Sequence, residues 1–128
     1  MAGMWLLDTD VMVDFLRGHP KAVAMVKGNL DRITLSTIVV AELYAGVRDG
    51  EEKRTLDRLV SDLETLPVST EIAQQGGLYK RDFSHPHGVG LADAIIAATA
   101  EIRNAQLKTL NTRHYPMFEN LQPAYEKG

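Results

Sequence analysis

Short strand-like runs that alternate with helical stretches recur along the chain and restrict its fold more than any other feature. Trp5-Leu6-Leu7 is apolar throughout and stops at Asp8, so it reads as a strand covered on both faces. Residues 32–35, 66–68 and 107–110 read as three more short strands, the last followed by the polar run Asn111-Thr112-Arg113-His114. Between them lie segments with helical spacing: 9–18, 20–29 with Pro20 at its first turn, one capped by Ser36 or Thr37 and ending near Gly46, 51–64, one capped by Thr70, and 91–103. The clearest is 51–64, where Leu56, Leu59, Val60 and Leu63 fall at i, i+3, i+4 and i+7. Gly76-Gly77 is expected to weaken the middle of the helix after Thr70. Ser84 to Gly90 reads as a loop, and a further edge strand is expected near Leu121. Strands that alternate with helices form a parallel sheet covered by helices. The expected fold is a three-layer α/β/α sandwich with a short, mostly parallel sheet, one domain over residues 1–128.

In such a sheet, ligands bind beyond the carboxyl ends of the strands. Three acids fall where the chain leaves or passes those ends: Asp8, Glu42 and Asp93. Each has an ordinary explanation when taken singly. Asp8 is a favoured helix cap, and Asp93 complements the dipole of the helix it opens. Glu42 sits between Ala41 and Leu43 in an apolar helix, where burial without a partner is costly unless the side chain faces water. No cation stands one turn away, because i−4 is Ile38 and i+4 is Gly46. Taken together the three map to one rim. Converging carboxylates repel and raise one another's pKa values, and a divalent ion relieves that repulsion. Ligation by oxygen alone suits Mg²⁺ or Mn²⁺, and a carboxylate-held ion suits hydrolysis of phosphodiesters.

Composition narrows the classes. The chain has no cysteine, which excludes thiol catalysis and Cys-ligated metal. Lys and Arg number 14 against 17 Asp and Glu, a net charge of −3, so bulk electrostatics do not hold nucleic acid. No apolar stretch approaches the ~18–20 residues of a membrane span, and the N-terminus meets an acid too early for a signal peptide. A cytoplasmic location is expected.

Four segments together carry a family resemblance. Leu6-Leu7-Asp8-Thr9-Asp10, Ser36 to Gly46, Leu91-Ala92-Asp93-Ala94-Ile95-Ile96-Ala97 and Thr109-Leu110-Asn111-Thr112-Arg113-His114 resemble, in this order, the PIN-domain family, and within it the VapC-type toxins. The resemblance implies a Mg²⁺- or Mn²⁺-dependent endoribonuclease toxin. It carries metal ligation and catalysis to Asp8, Glu42 and Asp93. The family's fourth acid falls on Asn111, a neutral side chain here, with an assisting place in catalysis. Asp10 stands where the family more often has Asn, and either adds a carboxylate or caps the helix. The implied partners are RNA as substrate, a cognate antitoxin and a second copy of the chain. Met12, Phe15, Leu16 and Met25 are candidates for the antitoxin-binding surface or for plain core.

Weaker candidates surround these. Thr9 and Ser36 offer hydroxyls to a phosphate, and His114 a substrate contact. His85 and His87 lack a third ligand for zinc. Arg48, Lys53, Arg54, Lys80, Arg81 and Arg113 are candidates for an RNA path. Asp8-Thr9-Asp10-Val11 also fits the first motif of a HAD-type phosphatase, with Asp8 as nucleophile and Asp10 as acid/base. A third reading is a degenerate PIN module that binds RNA or a partner without turnover.

Overall fold

The computed structural model describes residues 3–85 and 87–127. Four parallel strands, β1 (Trp5–Leu7), β2 (Ile33–Ser36), β3 (Glu64–Leu66) and β4 (Gln106–Lys108), stand in the order β3-β2-β1-β4. Six helices cover them in the expected α/β/α arrangement: α1 (Thr9–Leu16), α2 (Pro20–Lys27), α3 (Thr37–Gly46), α4 (Glu51–Asp62), α5 (Thr70–Phe83) and α6 (Leu91–Ile102). The chain steps from β1 to β2 to β3 in one direction, then returns past β1 to β4. The crevice where the order reverses lies between β1 and β4, the place where a doubly wound sheet accepts ligands.

The strands are apolar because both faces are covered. Leu6, Leu7 and Leu35 have no exposed surface, and all four residues of β2 are buried. Thr34 is tolerated among them because its hydroxyl donates to the Trp5 carbonyl at 2.9 Å. The packing of α5 on α6 accounts for Gly76. A Cβ there would lie 2.9 Å from Cγ1 and 3.1 Å from Cα of Ile95. The helix runs through both glycines, so the cost expected of Gly76 is exchanged for close approach of two helices.

Boundaries differ from the sequence reading in instructive ways. The third strand is Glu64–Leu66 and ends before Pro67, which has no N–H to give a ladder. The fourth stops at Lys108, because Thr109–Asn111 bend towards Asp10. The first two helices end two residues early, at Leu16 and Lys27; beyond the first, Gly18 takes a φ of +80° that only glycine adopts readily, and the fifth helix is capped by Ser69, one residue before Thr70. No strand forms near Leu121; there the tail makes one backbone hydrogen bond to the sheet edge, Ala124 N–H to the Thr109 carbonyl at 2.8 Å. It is fixed instead by Tyr125 and Lys127, which donate to Asp14 at 2.7 and 2.8 Å. The loop expected from Ser84 to Gly90 is present in its described part, while Pro86 lies outside the described residues, as do residues 1, 2 and 128 of the expected domain.

Candidate active site

β1 ends where α1 begins, and Asp8 occupies the joint. Its Oδ1 accepts the Thr9 N–H at 2.8 Å, so the capping role is real. The same carboxylate does more. Its Oδ2 accepts from Thr109 Oγ1 at 2.9 Å and from the Tyr115 hydroxyl at 2.6 Å. Asp8 is only 5% exposed, and every donor to it is neutral.

Asp10 stands one residue beyond Thr9 and turns into the β1–β4 crevice. Its Oδ2 accepts the N–H groups of Leu110 and Asn111 at 3.0 and 3.1 Å, and Oδ1 accepts its neighbour Val11 at 2.8 Å. Asp10 therefore fastens the turn that presents Asn111. Burial and the charge of Asp8 nonetheless push its pKa up to about 6, against the pull of those N–H groups. A carboxyl whose folded pKa is raised stabilises the protein below its ordinary pKa of 3.8, and that contribution is lost as pH rises through about 6. It is worth at most about 3 kcal/mol. In EDTA, the melting temperature of Asp10→Asn should therefore gain on that of the wild type as pH rises from 4 to 7. A gap that stays constant across that range would show that Asp10 is not the crowded carboxyl.

Glu42 lies on α3, whose first turn is capped by Ser36 Oγ to the Ile38 N–H at 3.2 Å. Its side chain is exposed, as its position on an apolar helix required in the absence of a cation. It is held by one bond, from Thr9 Oγ1 at 2.6 Å. The Thr9 hydroxyl thus joins α1 to α3, whereas Ser36 is the helix cap that its place before α3 suggests rather than a phosphate contact. Asp93 lies in the first turn of α6, half-buried. His114 Nδ1 is 3.1 Å from its Oδ2, and the Tyr115 hydroxyl is 3.4 Å from its Oδ1. Burial and the charges of Asp8 and Glu42 raise the pKa of Asp93, and His114 opposes them.

The three acids expected to meet do meet. An open pocket of about 270 Å³ is lined by Asp8, Asp10, Glu42 and Asp93 together with Thr9, Asn111 and His114. The donor set is oxygen-only and crowded with like charge, which fits a hard divalent cation. It is not a preformed cage: among the described residues no three His, Asp or Glu side chains converge tightly enough to grip an ion as they stand. Asp8 is fixed by its donors, while Glu42 is exposed and tethered by a single hydroxyl.

Two residues of this cluster are not among the site candidates of the sequence: Thr109, which only opens the fourth family-like segment, and Tyr115. Tyr115 follows a polar run and looks like part of a surface tail, yet it is 1% exposed. Burial and the charges of Asp8 and Asp93 drive its pKa far upward, so the hydroxyl stays a proton donor. Other candidates fall away from the site. Lys53 and Arg54 pair with Asp57 and Glu51 along α4, Arg81 pairs with Asp82, and Lys80 donates to the Val89 carbonyl at 2.9 Å. Met12 has no exposed surface and belongs to the core. Leu16 instead joins Val13, Leu43 and Val47 in a groove of about 170 Å³ that begins at Glu42.

A parallel sheet with acids gathered at its switch point defines an α/β protein with a carboxylate site. The chain belongs to the PIN domain family, whose model matches residues 5–117. A relative from Mycobacterium tuberculosis called Ribonuclease VapC19 is 40% identical over 126 residues, which span 95% of this chain and all of that protein. Ribonuclease VapC10 from the same organism is 38% identical over 125 residues, 95% of this chain and 93% of the relative. Among solved structures, a chain of the VapBC2 complex of Rickettsia felis, bound to a DNA fragment from their promoter, superposes with a TM-score of 0.75. It is 26% identical, covering 92% of this chain and 95% of that one. A chain of a Klebsiella pneumoniae toxin–antitoxin complex reaches a TM-score of 0.80 at 23% identity, over 95% and 98% of the two chains, and speaks to the fold alone.

Proposed function

We propose that this protein is a divalent-metal-dependent endoribonuclease that acts as the toxin of a toxin–antitoxin pair. The observation that carries the reading is the meeting of Asp8, Glu42 and Asp93, from three separate elements, in one pocket at the carboxyl end of the sheet. The names of the relatives, ribonucleases at 40% and 38% identity, support RNA as substrate. Asp8, Glu42 and Asp93 would hold Mg²⁺ or Mn²⁺. When bound, such an ion neutralises phosphate charge and acidifies water at neutral pH.

The protein's own groups prepare the site. Thr109 and Tyr115 orient Asp8, and Thr9 steers Glu42. Asp10 holds the turn that brings Asn111 and His114 to the pocket rim. This use of Asp10 counts against the phosphatase reading, because the oxygen that would serve as acid/base is already bound to the 110–111 backbone. Glu42, which that reading leaves idle, faces the same pocket. The degenerate-module reading rests on Asn111 alone, whereas the three principal acids are intact.

An antitoxin segment with apolar anchors and a basic residue suits the groove between α1, α3 and α4, where Leu16, Leu43 and Val47 adjoin Glu42, while Glu52 in the same groove is already paired with Arg17 at 3.5 Å. A homodimer in the cytoplasm, heterotetrameric or larger with antitoxin, is part of the same reading. No helix among the described residues is long and apolar enough to cross a membrane.

Cleavage of single-stranded RNA titrated with Mn²⁺ tests the function. Turnover should require the ion, stop in EDTA and reach half-maximum at lower Mn²⁺ in Asn111→Asp. That variant adds a nearly isosteric carboxylate to a pocket otherwise short of charge for two ions. It should also melt lower than wild type without metal. Cleavage that survives EDTA would sink the metal reading, and an unchanged Mn²⁺ requirement in Asn111→Asp would remove Asn111 from the site.

A further inference from the structure

A second pocket lies on the other side of the turn Thr112–His114. His114 lines the acid pocket, whereas Thr112 and Arg113 line this one together with His87, Phe118 and Asn120. Tyr115 joins the two. It lines the second pocket and sends its hydroxyl to Asp8 and towards Asp93 in the first. We propose that this second pocket receives the base of a nucleotide adjoining the scissile phosphate, stacked against Phe118 with its phosphate near Arg113. The inference rests on the ribonuclease reading above and adds to it the place where the RNA is gripped.

Charge is the first argument. Three other pockets among the described residues contain carboxylates: Glu42 and Glu52 beside Arg17 in the apolar groove, Asp31, Asp62 and Glu64 beside Arg32 at the opposite end of the sheet, and the acid site itself. The pocket beside Tyr115 contains none, and carries the guanidinium of Arg113 and the imidazole of His87. In a chain of net charge −3, an anionic strand must find such a place locally. Shape and chemistry agree with a base. The half-buried ring of Phe118 lies nearly parallel to that of Tyr115, 19° apart with centroids 6.5 Å apart. Aromatic surface beside a cation is the usual grip on single-stranded nucleic acid. Thr112 and Asn120 supply a hydroxyl and an amide for base edges. The volume, about 510 Å³, admits a nucleoside. Position is the last argument. The two pockets flank the turn Thr112–His114, and Tyr115 of the second reaches Asp8 and Asp93 of the first with its hydroxyl, so a strand whose phosphate sits among the acids leads its neighbouring base over the turn.

The test compares wild type, Phe118→Ala, Phe118→Trp and Arg113→Gln on single-stranded RNA of mixed sequence, with Mn²⁺ affinity measured separately by calorimetry. Phe118→Ala should raise KM about tenfold, the scale of one lost base stack, with Mn²⁺ affinity unchanged. Phe118→Trp should restore KM. Arg113→Gln should raise KM and flatten its rise with salt. Arg113 is exposed, so its variant keeps the test decisive if Phe118→Ala fails to fold. Should wild type cleave RNA while Phe118→Ala and Arg113→Gln keep its KM, the base pocket is overturned and the ribonuclease reading stands. A wild type that cleaves no RNA with Mn²⁺ overturns both.

Discussion

Asp8→Asn should abolish RNA cleavage, by about 10³-fold or more, and leave the metal-free protein as stable as wild type or more so. On the proposed metal-dependent reading, the loss follows from removing a principal ligand of the ion, which forfeits several kcal/mol of transition-state stabilisation. The stability follows from the crowding around it. Asp8's charge, after burial, raises the pKa values of Asp10 and Asp93. Asn keeps the oxygen that caps the Thr9 N–H and removes the charge. Mn²⁺ should raise the melting temperature of wild type, since it binds the folded site alone, and should do so far less in Asp8→Asn and in Glu42→Gln. Activity lost with melting temperature kept separates a ligand from a structural cap. Cleavage within tenfold of wild type would remove Asp8 from the centre of the site.

Tyr115→Phe should weaken Mn²⁺ binding by about 10–100-fold, the usual consequence of losing a group that orients a metal ligand. Phe retains the ring, its core packing and its stack on Phe118, so the change is confined to one hydroxyl. That hydroxyl makes the shortest hydrogen bond to Asp8, at 2.6 Å, and it touches Asp93, which comes from a different helix. Without it, Asp8 Oδ2 keeps only Thr109 as a donor, and two like-charged acids lose the neutral group between them. Thr109→Val should act in the same direction, and the two variants together should cost less than the sum, because they hold the same oxygen. Calorimetric titration with Mn²⁺ decides the matter without reference to turnover. Equal affinity in wild type and Tyr115→Phe would reduce Tyr115 to a core residue.

Much of the architecture was legible because it is written in short-range pattern. Leu6-Leu7 and Leu35 read as buried strands from apolar runs too short for helices, and α4 from leucines at helical spacing. The rim acids were legible for a related reason. Asp8 and Asp93 open helices directly, and a charge amid the apolar face of α3 marks Glu42. Details that depended on the register of a strand with its neighbour were not. Thr109–Asn111 looked like a strand end by composition, yet the N–H groups of Leu110 and Asn111 are claimed by Asp10, about a hundred residues earlier. The tail looked like a possible strand near Leu121, but its ties run to Asp14 on α1 rather than along β4.

By itself, then, the sequence determined the alternation of strand and helix, the parallel sheet that alternation demands, and the three acids at its carboxyl end. Periodicity and capping act over about four residues and survive whatever the rest of the chain does. The return of β4 to lie beside β1 comes from long-range packing alone, and everything specific to the site follows from that adjacency. It sets Thr109 and Tyr115 against Asp8 at separations of 101 and 107 residues, and turns Asp10 from a free acid into the clasp of the Asn111 turn. It also lays an acid-free aromatic pocket beside the carboxylates. Contacts so remote carry no local signature, since they depend on which edge of the sheet the last crossover reaches and not on the residues flanking each partner.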